Sequence, residues 1–285
     1  MIEETGRVTT PDGLALFWRA SLPPRPRGVL VFVHGLLEHS GRYRNPVRHF
    51  VPRDWACYGY DTRSHGQSPG VKMHVERFDD FLVDLAAVLA LVRARHPDLP
   101  VFLVGHSHGG LVVLHHALRH PALLPGIVVS SPFLAVHPSV RPNALLRAAI
   151  SLLSHVAPRL MFPQRIDPSA VSRDPEVCAA YASDPDNGRQ FSVRWAAQAM
   201  QAQRSVLLLA PQLAVPTLLM AGGCDTLVDT EATRRFAATA PAHLVELVVW
   251  PDCFHELFNE PEKQQVFDRM ENWLAARQPP VPPGC

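Results

Sequence analysis

The sequence predicts an α/β protein: a mainly parallel sheet of eight strands flanked by helices on both faces, with a helical cap inserted after the sixth strand. Three observations carry this. Short, nearly uninterrupted apolar runs alternate with longer stretches whose apolar residues recur every three or four positions, the pattern of buried parallel strands and crossover helices. One interval, from Pro132 to about Val215, breaks that rhythm. With 285 residues, 47% apolar and 19% charged, the chain can bury a large core, which excludes a mostly disordered protein.

Residues 3–10 and 14–21 flank Pro11-Asp12-Gly13, a turn that joins two edge strands into a hairpin. Gly28 to Val33 reads GVLVFV, as a strand buried on both faces should. Similar runs are Trp55–Tyr60, Val101–Val104, Gly126–Ser130, Thr217–Ala221 and Leu244–Trp250. Between them, 76–95 places Phe78, Phe81, Leu82, Leu85, Val88, Leu89 and Val92 on one helical face, and His96-Pro97 ends the helix. Residues 108–120, 230–240 and 261–277 read as helices too. The interval 132–215 contains no convincing strand. Its apolar stretch Ala144–Leu160 and a second helical stretch at 189–204 predict a cap over one edge of the sheet. The expected division is therefore a core of 1–131 and 216–277, a cap of 132–215, and an extended tail of 278–285.

Net charge is +1 and the arginines are spread along the chain, so no polybasic run marks a nucleic-acid surface. Five cysteines, an odd number without a CxxC pair, support neither a disulfide framework nor a zinc ribbon. The start, Met1 to Thr5, is acidic and lacks the apolar stretch of a secretory signal. The longest uncharged stretch, Ser205 to Cys224, is interrupted by Pro211 and Pro216 and makes a poor membrane span. A reducing, cytoplasmic setting is expected. His116 and His120 have the spacing of a ligand pair but no evident third ligand, so no metal is expected.

The chemistry is concentrated at Gly105-His106-Ser107-His108-Gly109, between the strand VFLV and a helix. That is the setting of a nucleophile elbow, in which glycines let a sharp turn close and lift the serine above the sheet. The pentapeptide alone also fits a structural glycine-rich turn; its flanking strand and helix favour the elbow. A serine hydroxyl needs a base, and the base an orienting acid. On this architecture they follow in the order Ser, Asp or Glu, His, after later strands. Asp225 follows TLLMA and His255 follows LVELVVW. Asp229 and Asp252 are rivals, read as a helix cap and a turn residue. The developing oxyanion needs N–H donors: His108, after the serine, and Leu36, in the loop His34-Gly35-Leu36 after GVLVFV.

Together these residues resemble the α/β-hydrolase superfamily and, within it, the monoacylglycerol lipase and lysophospholipase group. The resemblance spans nearly the whole chain. It is carried by HGLLEHSGRY (34–43), YGYDTRSHGQSPG (58–70), GHSHGG (105–110), IDPSAVSRDPEVCAAYASDP (166–185), GGCDTLVD (222–229) and FHELFNEP (254–261). It implies the α/β-hydrolase fold, with Ser107 as nucleophile, Asp225 as acid, His255 as base, and Leu36 and His108 as oxyanion donors. It also implies Glu38, Arg42 and Tyr181 as head-group residues, although the same three suit a buried structural ion pair beneath a cap tyrosine. Two departures stand out. Phe258 occupies the place of a second histidine common in the group, and His108 that of a common methionine, bringing an imidazole that could alter the pocket's polarity.

The implied reaction is hydrolysis of monoacylglycerols to fatty acid and glycerol through an acyl-enzyme, without cofactor. A lysophospholipase or general carboxylesterase is the alternative. A ligand-binding homologue without turnover is a more remote one, since all three triad candidates remain. Leu145, Leu146, Ile150, Leu152, Leu153, Val156, Leu160, Met161 and Phe162 are expected to form the acyl tunnel. The expected partner is a single-chain lipid ester, with transient membrane or micelle contact through the cap and no nucleic acid. No pattern in the sequence sets an oligomeric state.

Overall fold

The computed structural model describes residues 1–164 and 166–278, with Leu123 described by its backbone alone. β1 (Ile2–Thr9) and β2 (Ala15–Leu22) form the expected hairpin, in antiparallel register from Ile2↔Leu22 to Thr9↔Ala15. Then follow β3 (Gly28–Val33), α1 (Arg44–Phe50), β4 (Trp55–Tyr60), α2 (Asp79–Arg95), β5 (Val101–His106), α3 (His108–Arg119) and β6 (Ile127–Ser130). The interval after β6 holds α4 (Ala144–Val156), β7 (Met161–Pro163), α5 (Pro175–Ser183), β8 (Gln190–Ser192) and α6 (Val193–Leu209). β9 (Thr217–Gly222), α7 (Thr230–Thr239), β10 (Val245–Trp250) and α8 (Lys263–Ala275) complete the helices and strands.

Eight strands form one sheet in the order β1-β2-β4-β3-β5-β6-β9-β10. β1 and β2 are antiparallel additions at one edge, and the pairings from β4 to β10 are parallel. The central strands are apolar throughout because helices cover both faces. In β3, Val29, Val31 and Val33 pack with α2, α3, α6 and α7, while Leu30 and Phe32 pack with α1 and α8. Burying a side chain of this size stabilises by about 1.5–3 kcal/mol before conformational entropy is counted. Parallel strands also put their carboxyl ends on one side, where ligands gather in open α/β sheets.

The region between β6 and β9 departs from the expectation in one respect: it contains a small two-stranded sheet. β7 pairs antiparallel with β8, from Met161↔Ser192 to Pro163↔Gln190. Each strand is only three residues long, too short for an alternating pattern to show. The second helical stretch starts later than expected, at Val193, because 190–192 are extended. α6 packs against α3, where His115 Nε2 donates to Ala202 O at 3.0 Å. No helix among the described residues is long and apolar enough to cross a membrane. The expected tail lies outside the described residues except for Gln278, whose Nε2 donates to Arg27 O at 3.2 Å.

Candidate active site

Ser107 stands between the end of β5 and the start of α3, with φ 52° and ψ −117°. A non-glycine residue pays strain energy at positive φ and persists there only when its surroundings impose it. Here the Ser107 N–H donates to Ser130 O, and its own carbonyl accepts from Phe133 N–H, both at 2.9 Å. The neighbouring glycines are steric necessities. A Cβ on Gly109 would lie 2.0 Å from Val33 O, and one on Gly105 would lie 2.6 Å from Gly109 O. The sharp turn and the close approach of α3 to β3 therefore both require their absence.

Asp225 and His255 reach the same place from the loops after β9 and β10. The His255 Nδ1–H donates to Asp225 Oδ2 at 2.6 Å. The other carboxylate oxygen accepts the backbone N–H groups of Leu227 and Val228 at 2.8 and 3.0 Å, so the acid is fixed from both sides. Burial alone would raise the Asp225 pKa, but His255 and those N–H groups outweigh it and hold the carboxyl below its ordinary value. Burial pulls His255 down, yet the Asp225 carboxylate, aided by Glu256 and Glu38, lifts the imidazole above its ordinary value. With Nδ1 committed to Asp225, Nε2 is the nitrogen left to act as base. Ser131 Oγ donates to His255 O at 2.8 Å and anchors the loop. No hydrogen bond joins Ser107 Oγ to His255 among the described residues, but both side chains line one cavity. Such bonds are often long until substrate is bound.

Leu36 lies in a loop fixed by two side chains. The Gly35 N–H donates to Glu38 Oε1 at 2.5 Å. His34 Nε2 accepts the Thr62 N–H at 2.9 Å, which leaves its Nδ1–H to donate to Gly35 O at 2.7 Å. Burial keeps that imidazole's pKa low and hence the ring neutral. The Leu36 N–H has no partner among the described residues. The His108 N–H is one of the donors at a helix start that no carbonyl of its own helix can take. The His108 ring does not enter the cavity, contrary to the expectation that it could change the pocket's polarity. It packs against Phe78, Phe81 and Trp195, and burial holds its pKa well below the ordinary value.

The three expected head-group residues come together, but as a closed network. Arg42 donates through Nε to Glu38 Oε2 at 3.2 Å and through Nη2 to both Glu256 oxygens at 2.7 Å. Tyr43 donates to Glu38 Oε1 at 2.9 Å. The guanidinium lies 4.6 Å from the Tyr181 ring centroid, so its faces and edges are largely occupied. Burial opposes ionisation of Glu38, but His106, Arg42, His34 and the Gly35 N–H bring its carboxyl down to about 2. Burial raises Glu256, and Glu38 adds to the rise against the pull of Arg42. Glu38, Tyr181 and Glu256 line the cavity, whereas Arg42 does not. Glu256 escaped the sequence analysis; its position next to His255 was the available signal. Phe258 is packed among Tyr43, His106 and Phe267 and is absent from the main cavity wall.

The cavity has a volume of about 710 Å³. Away from the polar end its wall includes Leu36, Phe133, Leu146, Ile150, Phe191, Trp195, Ala199 and Met200. Of the stretch expected to form the acyl tunnel, only Leu146, Ile150 and Phe162 line it. Leu145, Leu152 and Val156 are 80%, 66% and 70% exposed instead, because α4 is apolar around much of its circumference and can turn only one face inward. The rival acids have other duties. Asp229 caps α7 through Glu231 N–H and pairs with Arg141 and Arg235; Asp252 lies in the turn after β10. His116 and His120 pack ring to ring at 4.9 Å. Two trios have metal-compatible spacing, His39–Asp184–Asp186 and Cys253–Glu260–Glu262. Neither lines the cavity, and both contain ion-paired residues.

Residues 24–262 match the family described as serine aminopeptidase, S33. A monoacylglycerol lipase of Mycolicibacterium smegmatis is 34% identical over 253 residues, covering 88% of this chain and 89% of that protein. A monoglyceride lipase of Homo sapiens is 32% identical over 279 residues, covering 96% and 91%. Among solved structures, the monoacylglycerol lipase of Paleococcus ferrophilus superposes with a TM-score of 0.82 at 26% identity, covering 92% of this chain and 99% of that one.

Proposed function

This chain belongs to the S33 family of α/β-hydrolases, and from that premise we propose that it is a monoacylglycerol lipase using Ser107, His255 and Asp225. One observation carries the reading. A strained serine and an Asp-oriented imidazole face a single, mostly apolar cavity of about 710 Å³. That volume lies within the range of about 300–1,000 Å³ usual for small-molecule sites. The similarity to monoacylglycerol lipases supports the choice of substrate.

In this mechanism His255 Nε2 takes the proton of Ser107 Oγ as the oxygen attacks the ester carbonyl. The tetrahedral oxyanion accepts from the N–H groups of Leu36 and His108, a loss of either being worth about 3–4 kcal/mol in comparable sites. The C–O bond to glycerol breaks, and His255 passes its proton to the leaving oxygen. Water then enters, gives a proton to His255 and attacks the acyl-serine, releasing fatty acid and restoring the Ser107 hydroxyl. Asp225 keeps the imidazole in the required tautomer and stabilises its charged form throughout. Glu38 and Arg42 act on this reaction by fixing the Gly35–Leu36 loop, while Tyr181 and Glu256 border the leaving alcohol.

The exposed apolar residues of α4 support a peripheral contact with a membrane or micelle, from which a single-chain lipid would enter beside Leu146. A substrate panel tests the whole reading. Monoacylglycerol, lysophosphatidylcholine, triacylglycerol and short p-nitrophenyl esters are compared by kcat/KM, with fluorophosphonate labelling of wild type and Ser107→Ala. Monoacylglycerol should lead and only the wild type should label. Faster turnover of triacylglycerol, or labelling of the Ala variant at another residue, would refute it.

A further inference from the structure

Among the polar residues of the cavity wall that neither the triad nor the head-group network uses, Gln203 stands on the helix that supplies Ala196, Ala199 and Met200 to the apolar wall. Gln203 projects from α6 into the cavity that also holds Ser107. It is only 8% exposed. Its Nε2 donates to Phe133 O at 3.1 Å, which fixes the orientation of the amide, since its oxygen could not face another carbonyl. The Gln203 Oε1 accepts no hydrogen bond from any described residue. Ala196, Ala199 and Met200, on the same side of α6, are apolar cavity neighbours. An acceptor without a protein partner is thus set beside an apolar stretch of the cavity wall.

Hydrogen bonds connect it to the nucleophile's own backbone. Phe133, which takes the Gln203 amide at its carbonyl, donates its own N–H to the Ser107 carbonyl at 2.9 Å. The Phe133 ring stacks on Trp195 with 14° between planes. The open oxygen therefore belongs to a stretch of wall that Phe133 ties to the backbone of Ser107. A plain hydrocarbon laid over it would strip its water and offer nothing in return, and desolvated, unpaired acceptors are costly.

We propose that Gln203 is a specificity-determining residue whose Oε1 accepts a hydrogen bond from a hydroxyl near the carboxyl end of the acyl chain. The preferred substrates are thus esters of α- or β-hydroxy fatty acids. This rests on the reading of the cavity as the acyl site and adds the chemistry of the acyl chain to it. A site with an unfilled acceptor discriminates by what the competing ligand fails to donate, so the effect appears as a ratio between matched chains.

The experiment compares p-nitrophenyl esters of one chain length with no hydroxyl, a β-hydroxyl or an ω-hydroxyl, on wild type and Gln203→Met. The p-nitrophenol leaving group keeps this measurement independent of glycerol recognition, which plain glycerol esters test separately. Wild type should favour the β-hydroxy ester over the plain one by roughly tenfold in kcat/KM, with the ω-hydroxy ester no better than the plain one. Gln203→Met should bring the β-hydroxy to plain ratio near one. A wild-type ratio of one overturns the proposal whether or not the variant folds. So does a ratio that survives in Gln203→Met, or a fall in kcat equal for both esters, which marks Gln203 as a brace for Phe133 alone.

Discussion

At the polar end of the cavity, both oxygens of Glu38 and both of Glu256 are hydrogen-bonded to protein, and Arg42 is shared between them. At the other end, α4 and α6 face each other through Leu146, Ile150, Ala196, Ala199 and Met200, with no directional bond among these side chains. The first region is held by geometry and the second by shape. Directional networks are intolerant, because removing one member strands a buried partner. Apolar walls strand no polar partner when their volume changes, and they translate that change into preference at a packing cost of about 1–3 kcal/mol. The proposed catalytic pair, Ser107 and His255, lines the same cavity as both regions.

Substitutions can break or sharpen this contrast. The largest effect belongs to the proposed catalytic pair. Asp225→Asn should lower kcat on the order of 10⁴-fold with little change in KM, since it frees the imidazole to adopt the wrong tautomer; a loss below tenfold would remove Asp225 from the mechanism. Next comes the polar end. Arg42→Ala leaves two buried carboxylates facing each other and should cost about 3–5 kcal/mol of stability, read by urea unfolding. A stability change under about 1 kcal/mol would mean that water replaces the guanidinium.

At the apolar end, Ala199→Phe should cost about 1–3 kcal/mol of stability, since Ala199 is buried, while raising the short-chain to long-chain ratio in kcat/KM by roughly tenfold or more; an unchanged ratio places the acyl chain elsewhere. The smallest effect is a shift on the pH axis. The proposed mechanism requires neutral His255, and its raised pKa means that activity should fall as pH drops through a value above that of an ordinary imidazole. Asp225→Asn should move this acid limb downward in its residual activity, and a wild-type limb below the ordinary imidazole value would contradict the Asp225 contact.

Much of the polar end was legible in the sequence because its residues follow strand ends. GVLVFV, VFLV, TLLMA and LVELVVW each mark a strand, and the residue types just beyond them, His34-Gly35-Leu36, Ser107, Asp225 and His255, declare their chemistry. The apolar end was less legible. Periodicity shows which residues share a helical face, but α4 is apolar on several faces, so Leu145 and Leu152 looked as suited to the tunnel as Leu146. β7 and β8 exist through pairing across a long loop that no local pattern encodes. His108 turned inward among aromatics, and Glu256 found Arg42; both are outcomes of packing between distant segments.

The position of α6 carries a consequence for grafting. β6 and β9 are adjacent and parallel, from Ile127↔Thr217 to Ser130↔Met220, and a parallel step requires a return path of a dozen or more residues. Among the described helices, α6 leads the chain back to β9 while docking on α3. A cassette exchanged to install a different roof should therefore stop before Val193. Taking α6 with it would remove not only part of the chamber but the strut by which the scaffold closes.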